Sequence, residues 1–263
     1  MKKIITIALA LIMLAGMTLL PTSCAKGGKI VCGVTDYEPM NFMVGGEWTG
    51  FDTEFAQLVA DKLGMEVEFQ EIDWAQKFSE LDSGAIDAIW NGFTATASEN
   101  GVSRMDLCDV SYSYMLNTQC VVLRNDRLGE FPTVESLAGM VLAAESGSAG
   151  QEAAEEVVGN NGDIIGVAQQ INAFLEVKTG AVDGAVIDII LARQIAGTGD
   201  YSDLSIAFEL EPEVYAVGFR KGDALRNKVN KAMKELFDSG KVLEIAEKYG
   251  VEANLYLDTS FGK

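Results

Sequence analysis

The sequence predicts an α/β protein of two lobes joined by a two-strand hinge. Three observations carry that reading. Strand-like and helix-like segments alternate in a βαβαβ order near the start of the chain, and the same order returns later. One stretch is echoed at a constant offset. The elements that close the chain have no counterpart in the middle block.

In chain order, residues 29–35 (KIVCGVT) form a short apolar run ending in turn residues, which predicts a buried strand. Residues 36–39 open a loop, and Gly45-Gly46-Glu47 predicts a tight turn. Over residues 52–63, Phe55, Leu58, Val59 and Leu63 fall on one helical face, with Gly64 as the stop. Val67 and Phe69 alternate with Glu66, Glu68 and Gln70, the pattern of a strand with one wet face. Trp74, Phe78 and Leu81 are spaced as a short helix, and residues 86–90 read as the next strand. In the later block, strands are expected at 141–144, 164–167 and 182–187, and helices at 151–158, 171–178 and 189–195.

Residues 78–90 read FSELDSGAIDAIW and residues 174–186 read FLEVKTGAVDGAV. Phe78/Phe174, Glu80/Glu176, Gly84/Gly180, Ala85/Ala181 and Asp87/Asp183 are identical pairs. A helix stopped by glycine and followed by a strand is a common joint on its own. Because the surrounding order also repeats, the similarity predicts two lobes of one build. After Glu213, residues 214–219 (VYAVGF) read as a strand, followed by amphipathic helices at 223–239 and 241–248. The simplest path leaves the first lobe near Gln119, builds the second and returns near Val217. Residues 120–124 and 214–219 are then the crossover strands. The expected division is 24–119 with 217–263 for one lobe and 120–216 for the other.

Composition narrows the function classes. Of 263 residues, 48% are hydrophobic and 22% charged, so the chain can build packed cores. Its net charge of −19 repels phosphate backbones and argues against nucleic-acid binding. There is no histidine, which removes Ser-His-Asp and Cys-His nucleophile systems and His-ligated metals. Acid–base chemistry would fall to carboxylates, Lys, Tyr or Cys. Cys24, Cys32, Cys108 and Cys120 form no CxxC pair, so neither a zinc site nor another cofactor is expected.

Residues 1–23 read as a secretory signal, with Lys2 and Lys3 ahead of an uncharged apolar run over 4–20. Small residues before Cys24 resemble the bacterial lipobox, in which the cysteine is acylated and becomes the N-terminus. The leucine usual three positions before that cysteine is Pro21 here, with Leu20 one place earlier. An ordinary cleavable signal and an uncleaved anchor are the alternatives to lipidation at Cys24.

Taken together, GVTDYEPMNF, WTGFDTEFAQLVADKLG, IDWAQKFSELDSGAIDAIWNGFTAT, DVSYSYMLNTQCVV, LAGMVLAAESGSAGQEAAEE, LEVKTGAVDGAVID and LFDSGKVLEIAEKYG resemble the amino-acid-binding family of extracellular solute-binding proteins that feed ABC importers. The resemblance spans roughly residues 29–251. It implies Rossmann-like lobes of the periplasmic-binding-protein type II, a ligand cleft between them, a polar L-amino acid as ligand and an ABC permease as partner. It implies a monomer, held at the outer membrane face if Cys24 is lipidated. Ligands of open α/β sheets bind beyond the carboxyl ends of strands, which places residues after Trp90 and after Ile187 at the cleft.

A free amino acid needs a cation for its carboxylate and an anion for its ammonium. Arginine suits the first because its planar fork donates two parallel hydrogen bonds. The resemblance assigns this role to Arg104, five residues before Asp109-Val110-Ser111, although residues 97–103 lengthen the family's usual spacing from the Thr94-Ala95-Thr96 segment. An exposed arginine is the plainer alternative. Asp188 matches the family's ammonium-binding aspartate, and it would equally serve as the N-cap of helix 189–195. Asn91, Gly92 and Thr94 would offer backbone and hydroxyl groups. Gly147-Ser148-Ala149, ahead of a helix, could cradle the carboxylate on backbone N–H groups or form a plain loop. Tyr37 matches a ring that packs on the ligand and Trp74 a side-chain-pocket position, and the alternative for each is the core, where a large aromatic most often goes. Asp36, beside Tyr37, would favour a ligand bearing a donor or positive side chain if it pointed inward. No catalytic residue is assigned. The rival readings are a dehydratase-type enzyme on the same fold and a sensor subunit reporting an amino acid to a receptor.

Overall fold

A computed structural model describes residues 28–262. The expected signal segment and Cys24 lie outside the described residues.

In the first lobe, strand β1 (Lys29–Val34) is followed by helix α1 (Phe51–Leu63) and strand β2 (Glu66–Glu71). Helix α2 (Lys77–Ser83) and strand β3 (Ala88–Thr94) come next. The long strand β4 (Ser113–Arg124) leads to the second lobe, which holds β5 (Val141–Glu145), α3 (Ala149–Val158), β6 (Asp163–Val167), α4 (Gln170–Thr179), β7 (Gly184–Asp188) and α5 (Ile189–Ile195). The second long strand, β8 (Leu204–Phe219), returns to helices α6 (Ala224–Asp238) and α7 (Lys241–Tyr249).

The main sheet runs in the order β6-β5-β7-β4-β8-β3-β1-β2. Within each lobe the first strand lies between the other two and pairs parallel to both, as β1 does with β2 and β3 and β5 with β6 and β7. Each crossover then supplies a fourth, antiparallel strand. Gln119 to Leu123 of β4 pair with β7, and Tyr215 to Phe219 of β8 pair with β3. Every residue of β3 and β7 is buried, as expected of strands covered on both faces. Strand β2 lies at the edge and keeps Glu66 and Glu68 exposed while Val67 and Phe69 are half-buried.

The crossover strands are longer than the segments 120–124 and 214–219 that the sequence suggests. They pair with each other from Leu204↔Arg124 to Tyr215↔Met115, with register shifts around residues 206–208 and 209–212. Asn117, Thr118 and Gln119 on one strand and Glu211, Pro212 and Glu213 on the other do not look like an apolar strand. The neighbouring strand supplies the backbone hydrogen bonds that their side chains do not advertise.

Two joints carry the internal repeat. Helix α2 ends at Gly84 (φ 79°, ψ 15°) and α4 ends at Gly180 (φ 74°, ψ 19°). Both are left-handed caps that a side chain would strain. The main core of the first lobe gathers Phe51, Phe55, Trp90 and Tyr114, with Phe55 edge-on to Trp90 at 5.6 Å. Cys32, Cys108 and Cys120 are buried free thiols, and burial pushes the Cys108 thiol up to about 12.

Candidate functional site

A cavity lies where the strand ends of the two lobes meet. It is lined by Trp74, Asn91, Gly92, Thr94 and Arg104 from the first lobe, and by Glu145, Ser148, Ala149, Gln170 and Asp188 from the second. Its volume is about 10 Å³. A space of that size holds about one water and is too small for an amino acid.

Arg104 reaches this cavity because residues 97–103 fold back as a hairpin. Ser98–Glu99 pairs with Val102–Ser103 across Asn100-Gly101, whose φ values of 51° and 76° suit a tight two-residue turn. Asn-Gly between short strands is a signal the sequence reading did not use. The hairpin delivers Arg104 to a one-turn helix, Arg104–Leu107, with the residue only 1% exposed.

The Arg104 guanidinium donates to the Thr94 carbonyl (3.0 Å) and, across the cleft, to the Gly147 carbonyl (2.9 Å). It stacks over Phe93, 5.2 Å from the ring centre, and lies 3.6 Å from the Glu99 carboxylate. Its Nε has no hydrogen-bond partner among the described residues. Burial pulls its pKa down, opposed by Glu99 and more weakly by Glu213, Glu152 and Asp188.

Lys77, fully buried beside it, donates to Glu99 (2.8 Å), the Gly147 carbonyl (2.8 Å) and the Trp74 carbonyl (3.3 Å). Burial and the neighbouring Arg104 lower Lys77 to about 8. The Gly147 carbonyl is thus gripped by two cations of the opposite lobe. A Cβ on Gly147 would meet the Ala75 Cα at 2.9 Å, and its φ is 72°, so glycine is required for this approach.

The anionic wall is built around Asp188. Its carboxylate accepts from Gln170 and Asn117, and from Gln119 at 2.7 Å. Asp188 occupies the N-cap position of α5, but its side chain makes no cap hydrogen bond. The amides draw it inward instead. Burial raises its pKa and the amide bonds oppose the rise. Glu213 shares two of those amides, at 2.6 Å from Asn117 and 2.9 Å from Gln119, and also accepts from Thr94 Oγ1 at 2.8 Å. Burial and Asp188 push Glu213 up to about 7. Glu145 ends β5 with the residue 3% exposed, and its Oε1 has no hydrogen-bond partner among the described residues. Burial and Asp188 raise it to about 8, against Lys77 and Arg104.

The remaining expected site residues divide. Trp74 is 4% exposed and lines the cavity. Asn91 and Gly92 also line it, but their polar groups are engaged elsewhere. The Asn91 amide donates to the Thr35 carbonyl and to Asn41, and the Gly92 N–H donates to buried Asp52 at 2.7 Å. Ser148 caps α3 by accepting from Gln151 N at 3.0 Å, and Ala149 begins that helix. The Gly147 N–H donates to the Gln151 side chain at 2.8 Å. Tyr37 is buried against Tyr215, hydroxyl to hydroxyl at 2.8 Å, and does not line the cavity. Asp36 is exposed and does not line it either. Glu145 and Gln170 are cavity residues the sequence reading missed. Glu145 was open to the strand-end rule that located Asp188, since it closes the central parallel strand of the same lobe.

The cavity therefore presents a guanidinium from one lobe and two carboxylates from the other. The sequence pattern of the bacterial extracellular solute-binding proteins, family 3, matches residues 30–252. The chain belongs to this family. Among solute-binding proteins, the arginine-binding extracellular protein ArtP of Bacillus subtilis is 26% identical over 253 residues, covering 92% of this chain and 96% of its own. The L-cystine-binding protein TcyA of the same organism is 28% identical over 235 residues, covering 86% and 83%. The structure of an ancestral arginine-binding protein bound to arginine superposes with a TM-score of 0.78 and 28% identity, over 85% of this chain and 99% of that one. Relatives with these names are binding proteins, and family members work outside the cell membrane. The two-lobe fold with its intervening cleft is that of periplasmic binding proteins, and this chain is a solute-capturing component of an importer.

Proposed function

We propose that the protein captures a polar L-amino acid in the cleft, with Arg104 holding its carboxylate and Asp188 its ammonium, and releases it unchanged to an ABC permease. The observation that carries this reading is the placement of a buried guanidinium and a buried carboxylate on opposite walls of one cavity. Each wall comes from a different lobe, so the two charges converge on a ligand only when the cleft shuts. Closure thereby stabilises the ligated state. The amino-acid names of the relatives support the ligand class.

In this reading the lobes are residues 24–119 with 217–263, and 120–216. They swing about β4 and β8, where pairing passes from one lobe's sheet to the other's. Cys24 carries a lipid that keeps the mature protein at the outer face of the membrane, and the protein acts as a monomer. Among the described residues no helix is long and apolar enough to cross a membrane. Radiolabelled palmitate should enter the wild type and not Cys24→Ala.

The test of capture is a thermal-shift screen of the mature protein against the common L-amino acids and cystine. A ligand far above its dissociation constant raises Tm by linkage. A rise with a few related amino acids, lost in Arg104→Ala, is expected. A rise that survives Arg104→Ala moves the carboxylate site elsewhere, and no response to any amino acid overturns the reading. Recovery of the ligand unchanged separates capture from catalysis. Co-purification with a permease rather than a receptor separates import from sensing.

A further inference from the structure

Among the described residues, Glu145 is the cavity carboxylate with an oxygen, Oε1, that has no hydrogen-bond partner. Asp188 is held by Gln170, Gln119 and Asn117. Glu213 is held by Thr94, Asn117 and Gln119. Glu99 is paired with Lys77. Glu145 lines the cavity, is nearly inaccessible, and has an oxygen that accepts nothing among the described residues. The charged groups near enough to act on it are Asp188 and Asp73, which repel a negative charge there, and Lys77 and Arg104, which attract one. Lys77 already spends its donors on Glu99 and on the Gly147 and Trp74 carbonyls, and Arg104 spends two of its own on the Thr94 and Gly147 carbonyls.

The charge count around the cavity points the same way. The carboxylates Glu99, Glu145, Asp188 and Glu213, with Asp73 beyond them, outnumber the cations Lys77 and Arg104. A zwitterionic amino acid adds one charge of each sign and leaves that excess in place. A buried carboxylate without a donor is costly, and it stays protonated or gains a cation. A ligand whose side chain ends in a cation supplies both the charge and the N–H donors.

We propose that Glu145 reads the ligand's side chain and selects an amino acid whose side chain ends in a guanidinium or ammonium group. This rests on the reading in which Arg104 and Asp188 hold the ligand's main-chain groups. Binding then drives a proton off Glu145, so capture of a cationic ligand near neutral pH releases a proton to solvent.

The test is isothermal titration of the mature protein and of Glu145→Gln with arginine, lysine, and the neutral arginine isostere citrulline. The wild type is expected to favour arginine or lysine over citrulline by about tenfold or more, the scale of one charge-assisted contact. Glu145→Gln should lose at least about tenfold for the cationic ligands while holding citrulline at its original affinity or tighter. Titrations in two buffers of different ionisation enthalpy should show proton release for the wild type that is clearly smaller in the variant. The wild-type comparison stands whether or not the variant folds. A wild type that favours citrulline, or a folded variant with an unchanged arginine-to-citrulline ratio, overturns the proposal and leaves amino-acid capture intact. Failure of the wild type to bind any amino acid overturns capture itself, and the proposal with it.

Discussion

In one lobe, α2 stops at Gly84 and the chain enters β3 through Asp87. In the other, α4 stops at Gly180 and the chain enters β7 through Asp183. The aspartates do the same work. Asp87 accepts from Val31 N–H at 3.0 Å and donates its own N–H to the Val31 carbonyl at 2.7 Å, tying the joint to β1. Asp183 does this with Val141 of β5, at 3.0 Å and 2.8 Å. Each aspartate also meets an arginine, Arg220 at 2.9 Å and Arg127 at 2.5 Å. At the cleft the likeness ends. The first lobe turns Lys77 and Arg104 toward the cleft, and the second turns Glu145 and Asp188. A shared scaffold thus carries opposite charges on its facing edges. The joint is constrained by backbone hydrogen bonds internal to each lobe, whereas the edge answers to whatever lies across the cleft.

The largest expected effect comes from removing one side of that opposition. Arg104→Ala should weaken amino-acid binding by about 100-fold, because a buried charge contact is lost and the ligand carboxylate is left unpaired. Asp188→Asn keeps the shape and should cost about tenfold. Isothermal titration checks both, and an unchanged affinity in either variant would show that the opposed charges are not what binds. Next comes closure. Gly147→Ala sets a methyl against the Ala75 backbone and should weaken binding by about tenfold while leaving Tm of the ligand-free protein within a few degrees of wild type.

The joints sharpen the likeness rather than the difference. Asp87→Ala and Asp183→Ala should each cost about 1–3 kcal/mol in chemical denaturation. The larger loss is expected for Asp87, because Arg220 also donates to the Leu81 and Ile86 carbonyls beside it. Equal losses would mean that Arg220 holds that joint without the aspartate.

A pH trend tests the burial of the carboxyls themselves. Asp52 in the first lobe is raised to about 7 by burial, opposed by its bonds to Gly92 and Tyr114, and Glu145 in the second is raised to about 8. A carboxyl raised on folding keeps a proton that the unfolded chain gives up near pH 4 to 4.5. Its contribution is therefore complete below that pH and is lost as pH rises through 7 to 8. Tm of the ligand-free protein should fall between pH 5 and pH 8, and Asp52→Asn and Glu145→Gln should each flatten the decline. A Tm that rises over this range in the wild type would contradict the burial of these groups.

Much of this molecule follows from local pattern. Apolar periodicity, glycine stops and the repeated Gly-Ala-x-Asp joint suffice for the βαβ order of both lobes, because helix and strand faces are set by neighbours a few residues apart. The strand-end rule likewise reaches Asp188, which follows a strand the pattern already defines, whereas Arg104 was reached only through the family resemblance and its spacing to Asp109. Tertiary structure alone decided that Tyr37 turns to Tyr215 while Trp74 faces the cavity, and that Asp36 stays outside. It also decided that Asn117, Gln119 and Glu213, polar residues on strands that resemble loops, frame Asp188, and that Glu145 is enclosed with its Oε1 unpartnered among the described residues. Those outcomes depend on contacts between residues from different lobes. Whether a charged side chain is solvated or buried is settled by what packs against it, and no local periodicity encodes that partner.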